Sequence, residues 1–201
     1  MVFEVDAIKD HAILFQIVTL IIMEMFINKM RRLKGERKII VIEEAWKALM
    51  NKSMEMYIKY LYKTVRKFYG SVATVTQEID DIISSPIVKE SIVNNSDIKC
   101  LLDLRKFQNK FETIQELLGL TEKEKTQVLS LNMANNPNRK YKEVFISLAG
   151  VQTNVYATEV SKEEYWVYTT EESEKFKLQQ LMDELDGDIE RAIKQLVREN
   201  K

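Results

Sequence analysis

The sequence predicts an α/β protein in which a mostly parallel sheet is flanked by helices. Short β-branched and apolar runs alternate with longer segments whose apolar residues recur every three or four positions. Only five Gly and two Pro occur among 201 residues, which disfavours disorder and turn-rich all-β folds. Residues 39–42 form an apolar run that ends abruptly in two carboxylates, as a buried parallel strand can at its carboxyl end.

Composition narrows the classes of function. Lys and Arg number 30 against 31 Asp and Glu, so net charge favours no particular partner. The single cysteine, Cys100, excludes an internal disulfide and a cysteine-based zinc cluster. It lies in an apolar run, which predicts a buried, inert thiol. The single histidine, His11, is predicted to begin a helix rather than to act as a catalytic base.

The amino-terminal elements are predicted to be a short strand at residues 3–5 and a helix at 12–30. The helix is apolar around most of its circumference, as expected for a helix packed on a sheet. Four polar residues interrupt it, which disfavours a membrane span, and acidic residues precede it, which disfavours a signal peptide. We therefore expect a buried amphipathic helix.

The remaining elements follow from periodicity and from turn residues. Strands are predicted at 38–42, 71–76 and 98–104, and helices at 53–69, 79–83, 111–118 and 122–131. A hairpin of residues 144–148 and 151–160 would close one sheet edge. Thr169 and Glu172 have capping-box spacing before a charged helix that runs to 185, and a last helix follows. These elements predict an α/β domain at 1–160 and a helical tail at 161–201.

Glu43 and Glu44 are the strongest candidates for chemistry. Ligands gather at the carboxyl ends of parallel strands, where Glu43 could hold Mg²⁺ through water. Glu44 could then orient the water that attacks the γ-phosphate of ATP. The alternative is that both acids simply begin a helix, where the helix dipole favours them.

Two further candidate site residues, Gln77 and Arg66, lie near the ends of the predicted strand at 71–76 and the predicted helix at 53–69. Gln77 follows a predicted strand and could bond a γ-phosphate oxygen, although it could equally begin a helix. Arg66 could reach a neighbouring subunit as an arginine finger, or it could be an ordinary cation in the last turn of a helix. These residues extend the predicted site to Gln77 and Arg66.

A phosphate-binding loop of the form G-x-x-x-x-G-K-[ST] is absent, because none of the five glycines is followed by Lys. We therefore expect the chain to be the carboxyl-terminal portion of an ATPase, with weak nucleotide binding when isolated. The basic run at 29–38 fits cations at a helix end, and contact with phosphate or DNA is the alternative.

Taken in order, the segments IIVIEEAW, YLYKTVRKFYG and VATVTQEIDDIISSPIVKESIVNNSDIKCLL resemble the TraG-type conjugation ATPases. This family is the conjugative-transposon branch of the type IV secretion ATPases, related to HerA and FtsK motors. The resemblance implies a RecA-like P-loop NTPase core that uses ATP and Mg²⁺ and acts as a ring, expected to be hexameric. It further implies channel proteins as partners, DNA or protein as cargo, and a cytoplasmic position at the bacterial inner membrane.

The resemblance also assigns roles to individual residues. The Walker B acids of the family fall on Glu43 and Glu44, its sensor glutamine on Gln77, and its arginine finger on Arg66. Such motors usually carry Asp-Glu at the acidic pair, whereas Glu43 replaces the Asp here, a change that an outer-sphere Mg²⁺ contact tolerates. Two alternative functions are an interaction or oligomerisation module built on the tail, and DNA binding through residues 29–38.

Overall fold

The computed structural model of the protein describes residues 1–8, 10–43, 52–77, 91–133 and 141–199. Its strands are β1 (Lys38–Glu43), β2 (Gly70–Val75), β3 (Ile98–Leu101), β4 (Tyr141–Leu148) and β5 (Gln152–Glu159). Its α-helices are α1 (Ala12–Arg32), α2 (Lys52–Thr64), α3 (Phe111–Leu118), α4 (Glu122–Leu129), α5 (Lys162–Tyr168), α6 (Glu172–Glu184) and α7 (Ile189–Glu199). Short 3₁₀ helices lie at Asp6–Ile8, Val65–Phe68, Val93–Asn95 and Arg105–Lys110.

The first two strands form a parallel pair, as predicted. Their register runs from Lys38 opposite Gly70 to Glu43 opposite Val75. The connection between them contains α2 and the 3₁₀ helix Val65–Phe68, which is the helical crossover that a parallel pair requires. Both strands therefore end at the same edge of the sheet.

The helices α1 and α2 pack against the β1–β2 pair. Their shared cluster of buried residues contains Met23, Ile27, Met30, Ile40, Met54, Ile58, Leu61, Tyr62, Val65 and Ile92. Alternation along β1 places Ile40 in this core and leaves Ile39 and Val41 exposed. One face of the parallel pair is thus covered, whereas the apolar side chains of the other face are open among the described residues.

The helix α1 is only partly buried, which corrects the expectation of a buried helix. Its buried residues follow one line, Thr19, Met23, Ile27 and Met30. By length and composition, it is the one helix in the described ranges that could cross a membrane, although core helices of soluble proteins pass the same test. His11 begins α1 as predicted, and its Nδ1 accepts a hydrogen bond from the Leu14 N–H at 3.2 Å.

The third strand does not join the parallel pair, so the prediction of a mostly parallel sheet is wrong for the described residues. Instead, β3, β4 and β5 form an antiparallel sheet in that order. Alternation points Lys99 and Leu101 to one face and leaves Ile98 and Cys100 exposed. A strand covered on one face is typical of antiparallel sheets, and for that reason Cys100 is not the buried thiol that was expected.

The predicted hairpin is confirmed as β4 and β5, paired from Tyr141–Glu159 to Leu148–Gln152. Ala149 and Gly150 both have positive φ in its turn, which bends the chain back between the strands. Helices α3 and α4 pack on this sheet through a cluster formed by Phe111, Ile114, Leu120, Val128, Leu131 and Phe145. The antiparallel sheet therefore has its own core, separate from that of the parallel pair.

The tail contains three helices with a third cluster of buried residues, Trp166, Ile193 and Leu196. The capping box predicted at Thr169 and Glu172 is wrong, because α6 begins at Glu172 and its N-cap residue is Glu171, which makes no side-chain cap. Thr169 Oγ1 instead donates a hydrogen bond to the Glu174 carboxylate. The real capping box of the tail is Ser161 with Glu164, which begins α5, a helix that the periodicity did not predict.

Two other predictions concern short segments. Residues 3–5 are not a strand. The Phe3 ring instead packs edge-on against Phe26 of α1, with ring centroids 5.8 Å apart. The amino-terminal segment is therefore held by a helix rather than by a sheet partner. The helix predicted at 79–83 lies outside the described residues.

Candidate functional site

The carboxyl ends of β1 and β2 bring two of the predicted site residues to one edge of the sheet. Glu43 is the last residue of β1 and lies opposite Val75, and Gln77 follows two residues beyond Val75. Neighbouring strands are about 4.8 Å apart, so both residues belong to the same strand tip. Both side chains are exposed. Glu44 directly follows Glu43 in sequence and lies outside the described residues.

Arg66 lies at the opposite end of the strand pair. It belongs to the 3₁₀ helix Val65–Phe68, which leads into the amino end of β2. Its Nη1 is 3.6 Å from Asp97 Oδ2, and both side chains are strongly exposed. Because a six-residue strand is roughly 20 Å long, Arg66 is not brought together with Glu43 and Gln77 in one chain.

The described residues of this chain do not by themselves fit a magnesium-bound triphosphate. Within the described ranges, no three His, Cys, Asp or Glu side chains are grouped so that they could hold a metal ion. The sequence also has no Gly-Lys pair that could begin a phosphate-binding loop. Among the described residues, the strand tip therefore offers an acidic group and an amide group, and the sequence supplies no glycine-rich phosphate-binding loop beside them.

A described groove lies elsewhere, between α1 and α2. It has a volume of about 520 Å³ and is lined by Leu20, Glu24, Ile27, Arg31, Met56, Tyr57 and Tyr60. Arg31 Nη2 donates a hydrogen bond to the Tyr60 hydroxyl at 2.9 Å, and this bond lowers the pKa of Tyr60. Tyr57 reaches Glu24 Oε2 at 3.5 Å. The polar groups of this groove are thus engaged with one another.

The basic run at 29–38 is partly structural. Arg31 is bonded to Tyr60, and Arg37 Nε donates to the Tyr69 hydroxyl at 3.0 Å. Lys38 Nζ donates to the Phe68 carbonyl at 2.8 Å and so caps the 3₁₀ helix that precedes β2. Sequence reasoning missed this role of Lys38, since its partner lies 30 residues away and no local pattern marks it. Fewer cations of the run are consequently free for phosphate or DNA.

Comparison with known proteins gives the family. The model of the TraG P-loop domain family matches residues 1–200. The chain is 30% identical to the type IV secretion system protein CagE of Helicobacter pylori over 100 residues. The aligned region covers 50% of this chain and 10% of CagE. The chain is also similar to the solved structure of VirB4 of Thermoanaerobacter pseudethanolicus, with a TM-score of 0.50 and a sequence identity of 25%. The aligned region covers 71% of this chain and 36% of the VirB4 chain.

The chain therefore spans about a tenth of the length of CagE and about a third of the VirB4 chain. The structural likeness to VirB4 agrees with the observed α/β architecture. From the match over nearly its whole length, we conclude that this chain belongs to the TraG P-loop domain family, which implies the P-loop NTPase fold.

Proposed function

We propose that the chain is part of a motor ATPase that couples ATP hydrolysis to the movement of DNA or protein through a type IV secretion or conjugation channel. The observation that carries this proposal is the shared strand tip of Glu43 and Gln77 in a chain of the TraG P-loop family. The name of one relative, the type IV secretion system protein CagE, supports it. In this proposal, residues 1–160 belong to a RecA-like core, residues 161–201 are a helical appendage, and the motor acts at the inner membrane.

The proposal gives each residue of the tip a separate role. Glu43 would face the magnesium ion, Glu44 would orient and polarise the attacking water, and Gln77 would contact the terminal phosphate. Because no glycine of this sequence is followed by Lys, the phosphate-binding loop would come from polypeptide outside it. The strand tip is then one half of a site whose other half is supplied elsewhere in the whole protein.

The test is Glu44→Gln in the whole protein. We expect ATP hydrolysis to fall by about 10²-fold or more, since positioned proton acceptors contribute about that much, while ATP affinity is retained. Glu36→Gln is the matched control, because Glu36 is exposed in the turn before β1, at the other end of the strand. Wild-type turnover in the Glu44 variant would remove the proposed base.

A second candidate function is an interaction module formed by the tail. The three tail helices have their own buried cluster around Trp166, while Tyr168 and Phe176 are exposed at 65% and 62%. Exposed aromatic residues are enriched where proteins contact partners. Loss of subunit or channel-partner binding in a Tyr168→Ser, Phe176→Ser variant that keeps normal ATP hydrolysis would favour this candidate.

DNA binding through residues 29–38 is the weakest alternative. Arg31, Arg37 and Lys38 are engaged within the chain. Binding that depends on the remaining cations should weaken steeply as salt rises. A filter-binding titration at low salt that shows no DNA retention would exclude this alternative.

A further inference from the structure

The face of α1 that points away from the core is apolar over the first half of the helix. Its exposed residues are Ile13, Leu14, Ile17, Ile21 and Met25, with exposed fractions from 41% to 68%. At about 100° per residue, these five side chains fall within an arc of about 120°. The buried line Thr19, Met23, Ile27 and Met30 lies on the other side of the helix. We call these five exposed residues the apolar stripe.

The apolar stripe is large for a surface feature. From Ile13 to Met25 it extends about 18 Å along the helix axis. Only 22% of the apolar 18-residue window of α1 is buried, so α1 is not an ordinary core helix. Contiguous apolar surface of this size usually marks contact with a partner or a membrane.

Beyond Met25, the character of the exposed surface changes from apolar to basic. The side chains of Lys29, Arg32 and Lys34 are exposed and make no hydrogen bond or ion pair within the described part of the chain. By the helical repeat, Arg32 continues the arc of the apolar stripe and Lys29 flanks it. Three cations thus adjoin the carboxyl end of the stripe.

One carboxylate lies within the arc, and its oxygens are occupied. Glu24 Oε1 accepts a hydrogen bond from Asn28 at 2.9 Å, and Tyr57 reaches Oε2 at 3.5 Å. Glu24 and Tyr57 both line the α1–α2 groove. The charge of Glu24 is therefore partly compensated within the protein, which lowers its repulsion from an anionic surface.

We propose that α1 docks the protein on an anionic lipid surface, lying in the plane of the interface. The apolar stripe would enter the boundary between headgroups and acyl chains, while Lys29, Arg32 and Lys34 contact lipid phosphates. The opposite side of α1 is packed on the β1–β2 pair, so the helix lies on the membrane and does not span it. This surface is independent of the strand tip and of ATP hydrolysis.

The test is flotation of the whole protein, and of the 201-residue chain in parallel, with vesicles of phosphatidylcholine containing about 30% phosphatidylglycerol as the anionic lipid. We expect binding to anionic vesicles that weakens at high salt. Lys29→Glu with Arg32→Glu should reduce affinity by about 25-fold or more, since each cation near such a surface contributes about fivefold. Ile17→Ser with Ile21→Ser should reduce it by a similar factor by removing apolar contact.

Matched controls distinguish binding through this surface from effects of net charge and from nonspecific hydrophobic contact. Lys63→Glu with Lys123→Glu changes net charge equally at exposed positions outside α1. Val151→Ser removes an apolar side chain that is 90% exposed in the hairpin turn. Neither variant should alter flotation, and thermal unfolding should show that all variants remain folded.

Three results would overturn the proposal. The first is absence of flotation with anionic vesicles. The second is an equal loss of binding in the Lys63→Glu, Lys123→Glu control, which would indicate net charge alone. The third is a dimer in sedimentation that Ile17→Ser with Ile21→Ser abolishes, with no lipid binding, since the apolar stripe would then pair with a second copy.

Discussion

At the residue scale, Gly70 shows how closely α2 and β2 are joined. A Cβ added at this position would lie 2.8 Å from Val65 Cγ2 and 3.4 Å from the Lys38 carbonyl oxygen. Val65 is buried and β-branched, so its methyl group cannot easily move away. The short turn from the 3₁₀ helix into β2 therefore requires a residue without a side chain.

Gly70→Ala should lower the free energy of unfolding by about 1–3 kcal/mol, as overpacking in a core does. Urea unfolding measures the change, with Ser71→Ala at the next, exposed position as control. In a Val65→Ala background, the same substitution should cost less, because the contact that it strains has been removed. Equal costs in both backgrounds would contradict the contact.

Tyr62 predicts a dependence of stability on alkaline pH. Burial raises its pKa above the usual value of about 10, and its hydroxyl lies 2.9 Å from Thr74 Oγ1. A raised pKa in the folded state stabilises the fold fully below pH 10, and that stability is lost as pH rises through the folded-state pKa. Tyr62→Phe should therefore flatten the decline in unfolding free energy above about pH 10, and an unchanged slope would exclude Tyr62 as its cause.

Individual residues also show what local sequence can and cannot predict. His11 was predicted to begin a helix because polar side chains commonly satisfy the first free N–H groups, and it does so. Cys100 was predicted to be buried because its neighbours are apolar, yet its exposure depends on which face α3 covers. Tertiary packing determines which face of β3 is covered, and the residues next to Cys100 in the sequence do not indicate that face.

At the element scale, the capping box Ser161–Glu164 fixes the start of the tail. Ser161 Oγ accepts the Glu164 N–H at 3.1 Å, and the Ser161 N–H donates to Glu164 Oε2 at 2.8 Å. The first turn of α5 thereby has two of its free N–H groups satisfied. The short helix depends on this arrangement and on the burial of Trp166.

Ser161→Ala should cost about 1 kcal/mol of helix stability through loss of the cap. Hydrogen exchange measures it directly, since amides of α5 should exchange several-fold faster while those of β4 remain unchanged. Ser173→Ala is the control, because Ser173 lies in the exposed first turn of α6 and caps no helix. Unchanged exchange in α5 would contradict the role of Ser161.

Elements with strong periodicity were predictable, and their partners were not. The apolar run of β1 and the three- and four-residue spacing in α2 gave the correct element types. The four residues of β3 are too short to encode a sheet partner, and their antiparallel pairing with β4 depends on a hairpin about 45 residues later. The capping box at Ser161 could have been found, since it has the same S/T-x-x-E spacing as the pair that was chosen.

At the scale of the whole molecule, Arg66 and the strand tip lie at opposite ends of the β1–β2 pair. A head-to-tail contact between copies places different surfaces against one another and closes into a ring when the rotation permits. Such a contact could bring Arg66 of one subunit to the strand tip of the next. We therefore predict that Arg66 acts between subunits.

A mixing experiment with the whole protein tests this prediction. Arg66→Ala and Glu44→Gln variants should each be inactive, whereas their mixture should recover part of the ATP hydrolysis, because some interfaces combine an intact tip with an intact arginine. The control is a mixture of Arg66→Ala with an Arg66→Ala, Glu44→Gln double variant, which should recover nothing. Absence of recovery in the first mixture, with assembly intact, would place Arg66 outside the reaction.

The site itself was only partly predictable. The meeting of Glu43 and Gln77 at one edge follows from two parallel strands, and the structure confirms that arrangement. The engagement of Arg66 by Asp97 joins residues 31 positions apart, and the sequence has no pattern that marks it. The roles of all four residues, including Glu44, stay predictions until the whole protein is assayed.

The placement of Trp166 gives the tail an optical signal of its own. The chain has two tryptophans, and the other, Trp46, is close in sequence to Glu43 and Glu44. Replacing Trp46 with Phe would leave a single indole emitter, 7% exposed, within the cluster of Trp166, Ile193 and Leu196. A red shift of its emission during denaturation would then record when the tail opens, separately from the loss of strand and helix in the rest of the chain.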